Sequence, residues 1–251
     1  MKTSSLLLTL AVFLIATPAL RAQQTGPTPF PDQKDEAAWP GKGPIRTFPY
    51  MTDNRKSFWS KRDQSQNAVV FVGDSFFGNW YSATPNIEAS FPQVKHVVNR
   101  CIGGEVSRGT LFRLQEDILD LHPTAVVLLV GNNDLTATGP VPGIIENITT
   151  ILDEIQKACP TIPIILCNLP PRNSTKAPVD PALILKVNGL LADLAKSRQH
   201  VTLFDTFSVF ADAEGKAIPE LFKADGVHPD NAGYVKVSAA LGKVFEQEKI
   251  Q

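Results

Sequence analysis

Apolar residues recur along this chain in two rhythms. Short runs rich in Val, Ile, Leu and Ala fall at residues 68–72, 94–99, 125–130, 162–168 and 201–204. Runs of this length, bounded by Gly, Pro or Asn, predict strands buried on both faces. Between them the apolar positions step three and four residues apart. From Arg108 onward they are Leu111, Leu114, Ile118 and Leu121; over 141–158 they are Ile144, Ile148, Ile151, Leu152 and Ile155. From Pro181 to about 199 they are Leu183, Val187, Leu190, Leu191 and Leu194, and from about Asn231 they are Val235, Val237, Leu241, Val244 and Phe245. This spacing predicts amphipathic helices, and Pro181 suits a first helical turn.

Strands that alternate with helices predict an α/β fold. It is a three-layer α/β/α sandwich around a five-stranded parallel sheet. A flavodoxin-like order, 2-1-3-4-5, is the assumed topology. Upstream of residue 66 the pattern changes. Residues 23–50 hold Pro27, Pro29, Pro31, Pro40, Pro44 and Pro49, which argue against regular structure. This predicts an extended leader along the domain, with Trp39, Phe48 and Tyr50 as anchors and a short helix over 54–64. The expected organisation is therefore 1–22, 23–65 and a domain over 66–251.

Residues 1–22 read as a secretory signal peptide. Lys2 precedes an apolar run over 6–15, and small residues follow to Ala22. Cleavage after Ala19 or Ala22 both fit. The apolar run is shorter than the ~20 residues of a comfortable membrane span. Residues 1–22 carry Lys2 and Arg21 and no acid, so their loss shifts the formal charge from −1 to −3. A near-neutral chain lacks the basic footprint of a nucleic-acid binder. The chain is expected outside the cytoplasm, secreted or periplasmic.

The three cysteines, Cys101, Cys159 and Cys167, are an odd number, so at least one thiol stays free. Cys159 and Cys167 lie at a helix end and well along the next strand, too far apart for a bridge. Two glycosylation patterns, at Asn147 and Asn173, are attributed to chance; Asn147 falls inside a predicted helix.

Four segments carry candidate chemistry. Gly73-Asp74-Ser75 closes the first strand, where open α/β sheets place their sites. Phe77 stands where the nucleophile elbow of α/β-hydrolases needs glycine, so that motif does not apply. Gly103-Gly104 follows the second strand, and paired glycines there allow backbone amides to approach an oxyanion. Asn133 lies in Gly-Asn-Asn-Asp after the third strand. Asp225 and His228, three apart near the C-terminus, supply a carboxylate and an imidazole that one turn brings together. Each segment alone is as well explained by an ordinary turn. In the order 2-1-3-4-5 the first three meet in one crevice, with Ser75 as nucleophile.

These blocks resemble the SGNH hydrolases, also called the GDSL family. The likeness is greatest to the branch with platelet-activating-factor acetylhydrolase catalytic subunits and bacterial acetylesterase-like proteins. Ser75 in Gly-Asp-Ser, Gly104 in Asn-x-x-Ile-Gly-Gly, Asn133 in Gly-x-Asn-Asp and His228 in Asp-x-x-His match the four family residues. The resemblance implies a Ser75–His228–Asp225 triad and an oxyanion hole from the Ser75 and Gly104 amides and the Asn133 side chain. It implies hydrolysis of a small-molecule or carbohydrate ester, acetyl esters first, with no cofactor and no metal. Oligomeric state stays open. The chain departs from the family pattern at Cys101, Glu105, Asn132 and Phe76-Phe77. Glu105 and the two phenylalanines are expected to alter the acyl pocket, with one or two of Phe76, Phe77, Trp80 and Tyr81 forming its wall. The open alternatives are a phospholipid, thioester or aryl ester as substrate, a non-catalytic binding module, and a metal hydrolase built on Asp74, Asp134, Asp225 and His228.

Overall fold

The apolar runs pair as a parallel sheet in the order β2-β1-β3-β4-β5 in a computed structural model that describes residues 24–251. The signal segment expected over 1–22 lies outside the described residues. The strands are β1 (Val69–Gly73), β2 (Val97–Asn99), β3 (Ala125–Leu129), β4 (Ile164–Cys167) and β5 (Val201–Phe204). β1 is an interior strand, next to the β2 edge, with Val69 opposite Val97 on one side and Ala125 on the other. Order and class are those expected.

Alternate strand residues point to opposite faces, so the sheet makes two cores. Val70, Val72, Val126, Leu128, Ile164 and Leu166 pack under three helices, α3 (Ser107–Asp117), α5 (Val141–Ala158) and α6 (Pro181–Lys196). On the other face Phe71, Val127, Leu129 and Ile165 meet α8 (Asn231–Gln247) through Val237, Leu241 and Phe245. Two short helices complete that layer, α2 (Ser75–Gly78) and α7 (Thr206–Phe210). The second core is aromatic: Phe71 meets Phe77, Phe91 and Phe245 with ring centroids 5.4, 5.6 and 6.3 Å apart. Each fully buried ring of this kind contributes ~1.5–3 kcal/mol.

Three boundaries differ from the pattern. β2 is shorter than 94–99, because Val94 turns back to bond the Phe91 carbonyl and the strand pairs only with β1. α1 (Pro49–Ser60) begins before the expected 54. Pro49 starts this helix; at the first helical position its missing N–H costs nothing. The apolar stripe of α3 runs on to Leu121, but the helix breaks after Asp117 and a 3-10 turn over Leu119–Leu121 carries the rest. The three cysteines are all free.

The leader is a strap held by buried side chains. The leader makes one 3-10 turn, Glu36–Ala38, and the Trp39 side chain donates to the Asp32 carbonyl within it; where its backbone is extended it cannot pair with itself, so donors come from the domain. Arg108, buried on α3, donates to the carbonyls of Pro40, Gly43 and Trp39 and pairs with Glu36. Asn147 accepts from the Lys42 amide at 2.9 Å and donates to its carbonyl at 2.8 Å. Arg55 pairs with Glu116 and Asp117 and donates to the Thr28 carbonyl. Phe30 and Trp39 pack on Phe112, each at 5.4 Å between centroids. Asn147 is fully buried in this network, which closes it to glycosylation in the folded chain.

Glu105 stands in this layer, which corrects its expected place in the acyl pocket. Both carboxylate oxygens take the Arg113 guanidinium at 2.6 Å, and Thr110 donates to Oε2 at 2.7 Å. A carboxylate with these partners faces inward because Arg113 offers it a matching bidentate cation there. Removing Glu105 leaves buried Arg113 paired, among the described residues, only with the more distant Asp117 at 3.6 Å, so Glu105→Ala is expected to cost ~3–5 kcal/mol in urea unfolding. A loss below ~1 kcal/mol, the scale of an exposed pair, contradicts this account.

Candidate active site

The site begins where β1 ends. Gly73 has φ +141°, and a Cβ there would lie 1.7 Å from the Leu129 carbonyl oxygen. Only glycine lets β1 turn so close to β3. Asp74 then caps α2, its Oδ1 accepting the Phe76 amide at 2.9 Å, and Ser75 becomes the first helical residue. Tyr234 on α8 donates to the Phe76 carbonyl at 3.0 Å and fixes this turn to the sheet's aromatic layer.

The loop after β2 is drawn across the same edge. Asn99 donates to the Phe77 carbonyl at 2.8 Å, and the Ile102 amide bonds the Gly73 carbonyl at 2.8 Å. Gly103 comes so near the nucleophile that a Cβ on it would stand 3.7 Å from the Ser75 Cβ. Beyond β3 comes α4 (Asn132–Thr136). Its Asn133 Nδ2 donates to the Glu105 carbonyl at 3.0 Å, which uses one of the two amide hydrogens. Asp134 accepts from the Ser107 amide at 2.9 Å and its hydroxyl at 2.6 Å, tying this loop to the start of α3.

The fourth segment is a closed turn. Phe222 and Pro229 bridge antiparallel, and the Lys223 amide bonds the His228 carbonyl at 2.8 Å. Asp225 Oδ1 accepts the amides of Val227 at 2.8 Å and His228 at 2.9 Å. Its Oδ2 lies 2.8 Å from His228 Nδ1, and His228 Nε2 lies 2.8 Å from Ser75 Oγ. Partial burial works against ionisation of Asp225, but the His228 side chain and the two amides prevail and hold its carboxyl down to about 2. A carboxylate on Nδ1 makes Nδ1 the donor and leaves Nε2 to accept the Ser75 hydroxyl.

Ser75, His228 and Asp225 therefore form one hydrogen-bonded chain, and Gly103 borders the nucleophile. The expected aromatic wall is not there. Phe76, Phe77 and Trp80 are all buried in the second core, and Tyr81 is 74% exposed. The reason is local: α2 lasts a single turn and passes into a 3-10 helix over Asn79–Ser82, so Trp80 swings inward too. Among the described residues no cluster of three or more His, Cys, Asp or Glu side chains could hold a metal ion. Asp74 faces the Phe76 amide and Asp134 faces Ser107. A cavity of about 280 Å³ opens under the strap between Thr25, Phe30 and Arg55; none of the site residues lines it.

Sequence reasoning missed Arg172, on the loop after β4. Its guanidinium donates to Thr136 Oγ1 at 2.9 Å and interacts electrostatically with Asp74 and Asp225. The available signal was an arginine after Pro170-Pro171, at the same sheet edge as Ser75 and Asn133.

Asp74 is fully buried, and its Oδ2 has no hydrogen-bond partner among the described residues. Burial pushes its carboxyl up to about 7; the charges of Asp134 and Glu105 add to this, and the Phe76 amide and Arg172 oppose it. The folded state thus keeps this proton to higher pH than the unfolded chain. Its contribution costs nothing below about pH 4 and grows as pH rises to about 7. Asp74→Asn keeps the cap and removes the titration. Between about pH 5 and about pH 8, wild-type stability in urea should fall more than that of the variant, by ~2–4 kcal/mol. Parallel curves for the two proteins contradict this.

Comparison with known proteins places this geometry. Among solved structures, a candidate acylhydrolase from Bacteroides fragilis is 24% identical with a TM-score of 0.68, covering 80% of this chain and 99% of its own. A GDSL-like lipase from Bacteroides thetaiotaomicron is 23% identical at a TM-score of 0.66, covering 76% and 97%. A candidate platelet activating factor from Streptococcus pneumonia is also 23% identical at 0.66, covering 78% and 94%. At these identities the likeness is one of fold. No curated protein matches the chain. The model of the GDSL-like lipase/acylhydrolase family matches residues 71–236, from the middle of β1 into α8 and across all four site segments. The chain belongs to this family of serine ester hydrolases.

Proposed function

We propose that this chain is an exported serine esterase that removes short acyl groups, acetyl foremost, from carbohydrate esters. The observation that carries the reading is the unbroken chain Asp225–His228–Ser75, with both links at 2.8 Å. In this reading Ser75 Oγ attacks the acyl carbonyl and passes its proton to His228 Nε2. The Ser75 and Gly104 amides and the free amide hydrogen of Asn133 receive the oxyanion. Collapse expels the alkoxide, which takes the proton from His228, and water repeats the cycle on the acyl-enzyme. Asp225 holds the imidazole in the working tautomer and stabilises its cation without taking the proton.

Export rests on the signal pattern of residues 1–22. The short acyl group rests on the resemblance to platelet-activating-factor acetylhydrolase catalytic subunits. The carbohydrate alcohol rests on the resemblance to acetylesterase-like proteins.

The test is hydrolysis of nitrophenyl esters of graded chain length beside acetylated sugars. Acetyl and propionyl esters should give higher kcat/KM than octanoyl; a profile that climbs to long chains points to a lipase instead. Ser75→Ala should remain folded, lose at least ~10³-fold in activity and no longer react with a fluorophosphonate. An active Ser75→Ala protein would falsify the nucleophile. Asn133→Ala should lower kcat by roughly 10²–10³, about 3–4 kcal/mol. Loss confined to KM would limit Asn133 to substrate binding.

A further inference from the structure

Tyr50 lies upstream of the family-matched segment, which begins at residue 71. It is the second residue of α1, where the strap enters the domain. Its hydroxyl donates to the Gly103 carbonyl at 3.1 Å. That carbonyl belongs to the same peptide unit as the Gly104 N–H. The unit is trans, so the carbonyl and the N–H point in opposite directions. A hydroxyl that holds the carbonyl on the strap side therefore turns the Gly104 N–H to the other side of the peptide. Gly103 borders Ser75.

We infer that Tyr50 is a positioning residue for the oxyanion hole, a strap side chain that orients the Gly104 amide. The inference rests on the serine-esterase reading above.

Three further observations support it. Gly104 has φ +74°, a conformation without intrinsic preference for one peptide orientation in a residue as free as glycine, so an external hold has an effect there. A Cβ on Gly104 would lie 2.9 Å from Tyr50 Oη and 3.2 Å from the Phe48 ring, so the strap packs directly on this peptide. The Tyr50 ring is itself held: it stacks on Phe48 at 5.5 Å and 14°, and Arg46 covers the Phe48 ring at 5.0 Å. The carbonyl two residues on, that of Glu105, is held by Asn133. Two donors, one from α1 and one from α4, thus hold carbonyls of one loop. Burial raises the Tyr50 phenol above its usual range, with Arg46 opposing, so the hydroxyl keeps its proton at neutral pH.

Tyr50→Phe removes the hydroxyl and keeps the ring, its stacking and the strap. For p-nitrophenyl acetate, kcat should fall about 3- to 10-fold while KM stays within about 2-fold, the scale of one solvent-accessible hydrogen bond. A second readout needs no turnover. Diethyl p-nitrophenyl phosphate reacts once: a Ser75 Oγ–P bond forms, nitrophenolate leaves, and the serine proton goes to His228. Its P–O charge develops in the same hole, so the rate constant should fall by the same factor in Tyr50→Phe. If the variant also melts lower, both measurements are made well below its transition. Unchanged kcat, a change in KM alone, or an unchanged phosphorylation rate overturns the assignment of Tyr50 while the esterase reading stands. A wild-type protein that neither hydrolyses esters nor reacts with the phosphate overturns the esterase reading and the hole with it.

Discussion

The close approach of β1 to β3 at Gly73 is the constraint on which the site depends. At that point the chain passes within contact of the Leu129 carbonyl, a space no Cβ can enter. The parallel pairing of β1 with both neighbours brings the loops after β2 and β3 to the same edge. A larger residue at 73 would push β1 from β3 and carry Ser75 away from Asn133. The aromatic core under α2 secures the turn from the other side, since Phe76 and Phe77 are fixed between Phe71, Phe210 and the Tyr234 hydroxyl.

Around this turn the structure spends buried polar groups on loops rather than on the sheet. Glu105 and Arg113 hold the loop after β2; Asp134 and Ser107 join the loop after β3 to α3; Asn188 holds the loop after β4 by donating to the Leu169 carbonyl and accepting its amide. Loops cannot satisfy their own backbone as strands do, so each needs a donor and acceptor from a helix nearby. The same logic attaches the strap, whose carbonyls are taken by Arg108, Arg55 and Asn147. Buried pairs of this type add little net stability compared with apolar packing, but breaking one is costly. They therefore favour one loop arrangement over its alternatives.

Arg172 and Asp74 give this end of the sheet an electrostatic character that Asp225, His228 and Ser75 alone do not. A half-buried guanidinium interacts electrostatically with both a buried carboxyl of raised pKa and the ionised Asp225. The two carboxyls behave oppositely because of their partners. Asp225 accepts two amides and an imidazole near solvent, whereas Asp74 accepts one amide deep in the fold.

Local patterning determined the layer architecture. Strands that are apolar throughout and helices with one apolar stripe pack stably only as a covered parallel sheet, so residues 125–129 or 141–158 could be read in isolation. The four chemical segments were legible for a related reason: each ends a strand or forms a short turn, and turns reveal themselves through Gly, Asn and Asp. The tertiary structure alone decided what lies beside them. Glu105 carries no local sign that Arg113 is its partner, and four aromatics after Ser75 look alike until helix α2 is seen to last one turn. Pro49 reads as a breaker until the chain beyond it winds into α1. Tyr50 stands 53 residues from the carbonyl it holds, and Arg172 interacts electrostatically with Asp225 from a loop far away in the sequence. Contacts between distant segments depend on strand order and on the path of the strap, and neither leaves a period in the sequence.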